Sequence, residues 1–203
     1  DVKGIADLAI DNDLTVLSDE VYEKIVYEGE HHSIASMDGM FERTITVNGF
    51  SKTFAMTGWR LGWMVAPPDI FKAVSKIQSH SVTCAVSFAQ MGGIEALRGP
   101  RDAVEEMVKE FRARRDLVMD MMDDIPSLEC QRPKGAFYVF PSYDFEMNSE
   151  EFCTYLLENA KVGVTPGSAF GPNSEGHFRI SYAASREDLK EGLERIREAL
   201  ESL

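Results

Sequence analysis

The sequence predicts an α/β fold with a largely parallel sheet, followed by a smaller domain of mixed helices and strands. Two observations predict the α/β domain: short apolar runs typical of buried strands alternate with helical segments, and turn residues separate these segments. A third observation predicts the smaller domain, because an amphipathic helix at residues 102–122 is followed, after Pro126, by short strand-like segments. We expect the two domains to span residues 1–112 and 113–203.

The first domain is expected to open on a helix. Ile5, Leu8 and Ala9 recur at helical spacing, and Asn12 and Asp13 close the segment. Three short strands are then expected at residues 14–17, 44–47 and 61–66.

A further helix is expected from Pro67 onward, because proline is favoured in the first turn of a helix. Its residues Ile70, Val74 and Ile77 fall on one face. The helix at residues 102–122 has an apolar stripe opposite its charged face, which predicts packing into a core rather than a methionine-rich binding groove.

The second domain is expected to combine short strands at residues 136–140 and 178–182 with a helix at residues 149–157. The last helix begins at Ser185, with Asp188 three residues later in an arrangement close to a capping box. No internal repeat or low-complexity linker interrupts this order.

Composition narrows the class of function. The net charge of −13 argues against nucleic acids and anionic membranes as partners, and no run of 18 apolar residues predicts a membrane span. Three widely spaced cysteines make disulfides and a zinc site poor expectations, and His31-His32 is better interpreted as a polar loop than as a metal site. We expect a cytoplasmic protein with no metal.

The chain opens on helix-like sequence without an initiator methionine, so we also expect a truncated or processed chain.

Two ionisable side chains follow expected strands closely. Asp19 comes after the first strand, and Lys52 comes after the second. Ligands of open α/β sheets bind at the carboxyl ends of the strands, so both side chains are expected at one rim. A turn at Gly58 would bring Arg60 to the same rim, and the strand beginning at Leu61 would then run antiparallel to the other two.

Residues 49–62 read GFSKTFAMTGWRLG. A lysine in this position can bind the aldehyde of a cofactor, and an arginine can hold a phosphate in its planar fork. A lone lysine–arginine pair is more often a solvated loop, but the whole string resembles the signature of class I/II pyridoxal-phosphate aminotransferases. In that family the lysine, here Lys52, forms the internal Schiff base.

A second motif at residues 18–23 also resembles this family. The resemblance implies that Asp19 pairs with the protonated pyridine nitrogen of pyridoxal phosphate and that Tyr22 hydrogen-bonds the 3-hydroxyl oxygen. The physical need is clear, because the ring stabilises a carbanion only while its nitrogen stays cationic, and an ionised carboxylate raises the pKa of that nitrogen.

The resemblance implies two roles for Lys52, as the covalent anchor and as the carrier of the substrate α-proton. It implies that Arg60 binds the cofactor phosphate bidentately and that Ser51 donates a hydroxyl hydrogen bond to it. Many relatives have serine three residues before the lysine, whereas this chain has Gly49, so phosphate binding would depend more on Ser51.

The strand at residues 178–182 and the loop at residues 164–171 resemble a third family motif. Its arginine, here Arg179, binds the substrate α-carboxylate. An arginine in a strand is by itself more often a surface residue, and the two preceding motifs favour the ligand role.

The resemblance covers essentially the whole chain, but only the C-terminal half of such an enzyme. It implies part of a mostly parallel large-domain sheet with one antiparallel strand, plus a small α+β C-terminal domain. Members are homodimers, and residues that complete the site lie in the other half. We therefore expect the isolated 203-residue chain to bind pyridoxal phosphate poorly and to transaminate little.

The function implied is transfer of an amino group between an amino acid and a 2-oxo acid. Two alternatives remain open: another pyridoxal-phosphate enzyme on the same scaffold, such as a β-lyase, decarboxylase or synthase, and an inactive fragment or aminotransferase-like sensor domain. The sensor domain is disfavoured by the acidic charge and by the lack of a basic helix-turn-helix. The identity of the amino acid is not predicted.

Overall fold

A computed structural model describes all 203 residues. The chain divides into two compact units, Asp1–Glu105 and Glu106–Leu203. This boundary and the predicted boundary at residue 112 fall in the same helix, and the assignment of a cofactor-binding domain and a small domain stays a prediction. No helix is both long enough and apolar enough to cross a membrane.

The regular elements follow the expected order with shifted bounds. The helices are α1 Val2–Asp11, α2 Phe50–Thr53, α3 Pro68–Ser81, α4 Ser87–Arg98, α5 Asp102–Asp123, α6 Ser149–Tyr155 and α7 Arg186–Glu201. The strands are β1 Val16–Asp19, β2 Thr44–Gly49, β3 Gly62–Val65, β4 Leu128–Glu129, β5 Tyr138–Val139, β6 Ser142–Tyr143, β7 Thr165–Pro166 and β8 Phe178–Ser181.

The sheet of the first unit has the order β1-β2-β3. Strands β1 and β2 are parallel, with Asp19 opposite Val47, whereas β2 and β3 are antiparallel, with Gly49 opposite Gly62. The predicted α/β fold with one antiparallel strand is confirmed.

Helix α1 ends in a Schellman motif, in which Asp13 has a left-handed φ of 49°. The Asp13 N–H donates to the Ile10 carbonyl, and the Leu14 N–H donates to the Ala9 carbonyl. Leu14 therefore belongs to the helix cap, and β1 begins at Val16 rather than at the predicted residue 14.

The buried face of α1 differs from the predicted one. Ala6 and Ala9 pack with Ile34 and Met40 in a small core, whereas Ile5 and Leu8 are exposed. The predicted face of α3 is likewise not buried, with Ile77 66% exposed.

Helix α4 was not predicted, because Gly92 and Gly93 interrupt its apolar pattern. The structure explains both glycines by close packing. A Cβ at Gly92 would lie 2.6 Å from the Trp59 ring, and one at Gly93 would lie 2.5 Å from the Leu61 side chain. Helix α4 therefore packs directly against the residues on either side of Arg60.

The second unit contains a three-stranded antiparallel sheet with the order β5-β8-β7 and a two-stranded sheet of β4 and β6. Side chains alternate along β8: Phe178 and Ile180 are buried, Arg179 is half-buried and Ser181 is exposed. Arg179 therefore projects from the face of the sheet opposite the core.

Strand β5 is shorter than the predicted segment 136–140. Ala136 has a left-handed φ of 57°, so extended backbone cannot begin there. Helices α6 and α7 match the predicted segments at their first turns, and the Ser185 hydroxyl accepts a hydrogen bond from the Asp188 N–H at 3.0 Å.

Gly167 lies where the chain leaves β7, and it has no room for a side chain. A Cβ there would be 1.9 Å from the Ser174 carbonyl oxygen and 2.7 Å from the His177 carbonyl oxygen. Because both obstacles are backbone, we expect Gly167→Ala to lower the free energy of unfolding by about 3 kcal/mol. Gly163→Ala is the matched control, since nothing lies within 4 Å of its Cβ position. Urea unfolding followed by circular dichroism measures both, and equal midpoints for the two variants would contradict this packing.

Candidate active site

A cavity of about 300 Å³ lies where β1 and β2 end and β3 begins. Three of the predicted site residues, Asp19, Ser51 and Arg60, line it together. The remaining lining residues are Val21, Val47, Asn48, Gly49, Leu61 and Gly62. The carboxyl ends of neighbouring parallel strands thus bring together side chains that are far apart in the sequence.

Asp19 is the last residue of β1, and its carboxylate is exposed. One carboxylate oxygen accepts a hydrogen bond from the Val21 N–H at 3.2 Å. The next residue, Glu20, donates its N–H to the Val47 carbonyl at 2.8 Å, so the turn after β1 stays attached to β2. The carboxylate is held at the cavity rim with one oxygen still available to a ligand.

Ser51 and Lys52 lie in the short helix α2, which begins directly after β2. Phe50 anchors this turn: its side chain is buried, and its N–H donates to the Leu61 carbonyl at 3.1 Å. Lys52 is half-buried, and it is not among the residues that line the cavity, although it follows one that is.

Arg60 has φ 51° and ψ 47°, a left-handed conformation that is uncommon for a residue other than glycine. The predicted turn at Gly58 is present as a short 3₁₀ turn at Thr57–Trp59, and Arg60 caps this turn between α2 and β3. The Arg60 guanidinium donates one hydrogen bond from Nη1 to the Thr57 carbonyl at 2.9 Å, which leaves its other N–H groups for a ligand.

Tyr22 is half-buried in the turn after β1 and does not line the cavity, although Val21 before it does. Gly49 lines the cavity, and a Cβ there would make only ordinary contacts, the nearest at 3.4 Å from the Leu61 carbonyl oxygen. A serine at this position therefore fits sterically.

A buried carboxylate that was not anticipated lies beside Asp19. The Glu20 carboxylate accepts hydrogen bonds from the hydroxyl of Ser33 at 2.7 Å and from the hydroxyl of Ser18 at 3.2 Å, and lies 3.0 Å from Nε2 of His31. This network attaches the loop at residues 31–33 to the end of β1. His31 and Ser33 lie 11 and 13 residues after Glu20 in a loop, so no periodic sequence pattern predicts that they contact Glu20.

Glu20, Glu23 and His31 also bring three potential metal-ligand atoms within 4.8 Å of one another. Glu20 Oε1 already accepts hydrogen bonds from both serine hydroxyls, and Oε2 lies 3.0 Å from Nε2 of His31, so these contacts account for the cluster as a structural network.

We expect Glu20→Ala to lower the free energy of unfolding by about 2 kcal/mol, because it leaves the half-buried hydroxyls of Ser18 and Ser33 without their shared acceptor and removes the contact with His31. Glu23→Ala is the control, since the only ion pair described for Glu23, with Lys24, is long at 3.6 Å. Thermal and urea unfolding measure the difference. Equal losses in the two variants would show that the network does not hold the turn.

In the second unit, Arg179 lies in the middle of β8 opposite Thr165 of β7. Its guanidinium carbon lies over the rings of Tyr138, at 4.5 Å, and Phe170, at 4.7 Å. The arginine is thus held by aromatic contacts on the open face of the small sheet.

Comparison with known proteins now places the chain in a family. A model of the class I and II aminotransferases matches residues 1–196. The chain is 52% identical over 204 residues to an aspartate aminotransferase of Pyrococcus abyssi, and this alignment covers 98% of the chain and 52% of the relative. It is 50% identical over 204 residues to aromatic-amino-acid aminotransferase 2 of Thermococcus litoralis, with the same coverage.

The chain belongs to the class I and II aminotransferases. Its structure resembles that of an aromatic aminotransferase from Pyrococcus horikoshii OT3 with a TM-score of 0.96 at 50% identity, covering 100% of this chain and 55% of that chain. The chain spans about half the length of the curated relatives it matches. Membership of this aminotransferase family, stated above as a resemblance, is confirmed, and the family implies pyridoxal phosphate as the cofactor.

Proposed function

We propose that this chain contributes the cofactor anchor and the substrate-carboxylate site of a pyridoxal-phosphate aminotransferase. The full-length protein would transfer an amino group between an amino acid and a 2-oxo acid, and we propose that it acts as a homodimer. One observation carries the proposal: Asp19, Ser51 and Arg60 line one cavity, and Lys52 directly follows Ser51.

The donor set of this cavity fits the chemical groups of the cofactor. Phosphate requires N–H and O–H donors, and Arg60 and Ser51 supply a guanidinium and a hydroxyl. A pyridinium nitrogen requires an anionic acceptor, and Asp19 supplies one. An aldehyde requires an amine, which only Lys52 among the proposed site residues carries.

When bound, pyridoxal phosphate supplies an electron-withdrawing ring that takes up the electron pair left on the substrate α-carbon after proton loss. The carboxylate of Asp19 would hold the protonated ring nitrogen, and Tyr22 would donate a hydrogen bond to the 3-oxygen. The amine of Lys52 would hold the cofactor, and once free of it the same amine would carry the proton of the substrate α-carbon.

Product analysis of the full-length protein tests this function. With pyridoxal phosphate, 2-oxoglutarate and either L-aspartate or L-phenylalanine, we expect equimolar formation of glutamate and of the 2-oxo acid of the donor. The printed names of the relatives motivate these two donors. Release of ammonia or carbon dioxide without glutamate would instead indicate a lyase or decarboxylase, and the absence of any product would favour a non-catalytic protein.

A further inference from the structure

Tyr138, Phe170 and Arg179 form a cluster that we call the arginine clamp. We propose that the two rings are positioning residues, which hold the guanidinium of Arg179 in the orientation that binds the α-carboxylate of the substrate. This inference rests on the proposed function of Arg179 and gives a role to two residues to which the sequence analysis assigned none, although Phe170 lies in the loop at residues 164–171.

The fold brings the three side chains together by strand register. Tyr138 of β5 is opposite Ser181 of β8, two residues beyond Arg179. Residues two apart on a strand share a face, so Tyr138 is the diagonal neighbour of Arg179. Phe170 comes from the short 3₁₀ turn at Gly167–Phe170 that follows β7, the other neighbour of β8.

The contacts of Arg179 suit a binding role. Its guanidinium carbon lies over both rings, whereas its N–H groups donate to no acceptor and pair with no acidic side chain in this chain. A guanidinium carries all of its donors in its own plane, so a ring stacked against its face leaves the N–H groups at the edge for a carboxylate. The rings therefore restrict the arginine without using its hydrogen-bonding capacity.

Phe170 itself is held in place. Its ring packs edge-to-face on Phe140 at 5.5 Å, and Phe140 stacks on His177 at 5.2 Å. Phe170 is nevertheless 44% exposed, so its position rests on its contacts with Phe140 and Arg179 rather than on core burial.

The clamp strengthens carboxylate binding because an arginine that is already ordered loses less conformational entropy when the ligand binds. Each ring contributes through a cation–π contact of the kind found at half-exposed sites. Removal of either ring is therefore expected to weaken carboxylate binding by about fivefold, and removal of both by about 20-fold.

The test measures inhibitor binding to the full-length protein loaded with its cofactor. The two competitive inhibitors have similar shapes, but 3-phenylpropanoate carries a carboxylate and 3-phenylpropan-1-ol does not. The variants are Phe170→Leu, Tyr138→Leu and the conservative Phe170→Tyr, which keeps the ring. Phe145→Leu is the matched control, because Phe145 contacts Phe152 in the same unit and not Arg179. Arg179→Lys tests the arginine itself.

We expect both leucine variants to weaken the carboxylate about fivefold, with the alcohol and kcat nearly unchanged, while KM for the amino acid rises in parallel. Phe170→Tyr and Phe145→Leu should bind the carboxylate as the unmodified protein does. Carboxylate binding that is unaltered in both leucine variants, or alcohol binding that weakens equally, would overturn the clamp. If Arg179→Lys also leaves carboxylate binding unaltered, the proposed substrate role of Arg179 fails as well, which separates the two failures.

Discussion

Replacement of Lys52 by arginine is expected to lower the turnover of the full-length protein by at least about 10³-fold, the scale of a lost general acid–base group. Arginine has a side chain of similar length, but its guanidinium stays protonated at neutral pH, so it can act neither as a nucleophile nor as a proton carrier. The two proposed roles of Lys52 are therefore lost together. Steady-state transamination and the visible absorbance of the bound cofactor measure the effect.

The control for this variant is Lys72→Arg, because Lys72 is an exposed lysine of α3 whose only described partner is Asp69 at 3.5 Å. It should leave turnover unchanged. A Lys52→Arg protein that keeps more than about a tenth of its turnover would contradict a chemical role for this amine, since even one acid–base group contributes more than that.

The second large effect is expected at Asp19. Asp19→Asn keeps the shape of the side chain and an oxygen that can accept the hydrogen bond from Val21, but it removes the negative charge. An ionised carboxylate next to a cation shifts its pKa by about 1–3 units, so the ring nitrogen should lose its proton and turnover should fall by about 10–10³-fold.

An N-methylated cofactor, whose ring nitrogen carries a permanent positive charge, provides the decisive comparison for Asp19→Asn. Turnover of this variant should recover in part with the methylated cofactor, because the charge no longer depends on a proton. Asp38→Asn, at an exposed aspartate of the same unit, is the control and should behave as the unmodified protein. Equal turnover of Asp19→Asn and Asp38→Asn with the ordinary cofactor would show that Asp19 does not act on the ring.

The features predicted correctly from the sequence are those set by local patterns and by strand geometry. The antiparallel direction of β3 followed from placing Arg60 at the same rim as Asp19, and the register of β2 with β3 bears this out. Asp19, Lys52 and Arg60 were expected at one rim; Asp19 and Arg60 do line one cavity, together with Ser51, whereas Lys52 directly follows Ser51 without lining it. Both features could be predicted because the residues concerned come directly before or after a strand, where strand direction fixes their place.

The features that were missed depend on contacts between distant segments. Helix α4 contains a Gly92-Gly93 pair that looks like a break, and only the packing of Trp59 and Leu61 against it explains the glycines. The acceptor role of Glu20 depends on a loop more than ten residues away. The turn at Gly58 is present, but the left-handed conformation of Arg60 that closes it has no signal in the sequence.

The central claim is that the amine at position 52 is the covalent anchor of pyridoxal phosphate. Borohydride reduction of the full-length protein with its cofactor makes such a bond permanent, and peptide mass mapping then locates it. We expect a single phosphopyridoxyl group on the peptide that contains Lys52. A phosphopyridoxyl group on another lysine, with position 52 unmodified, would contradict the account.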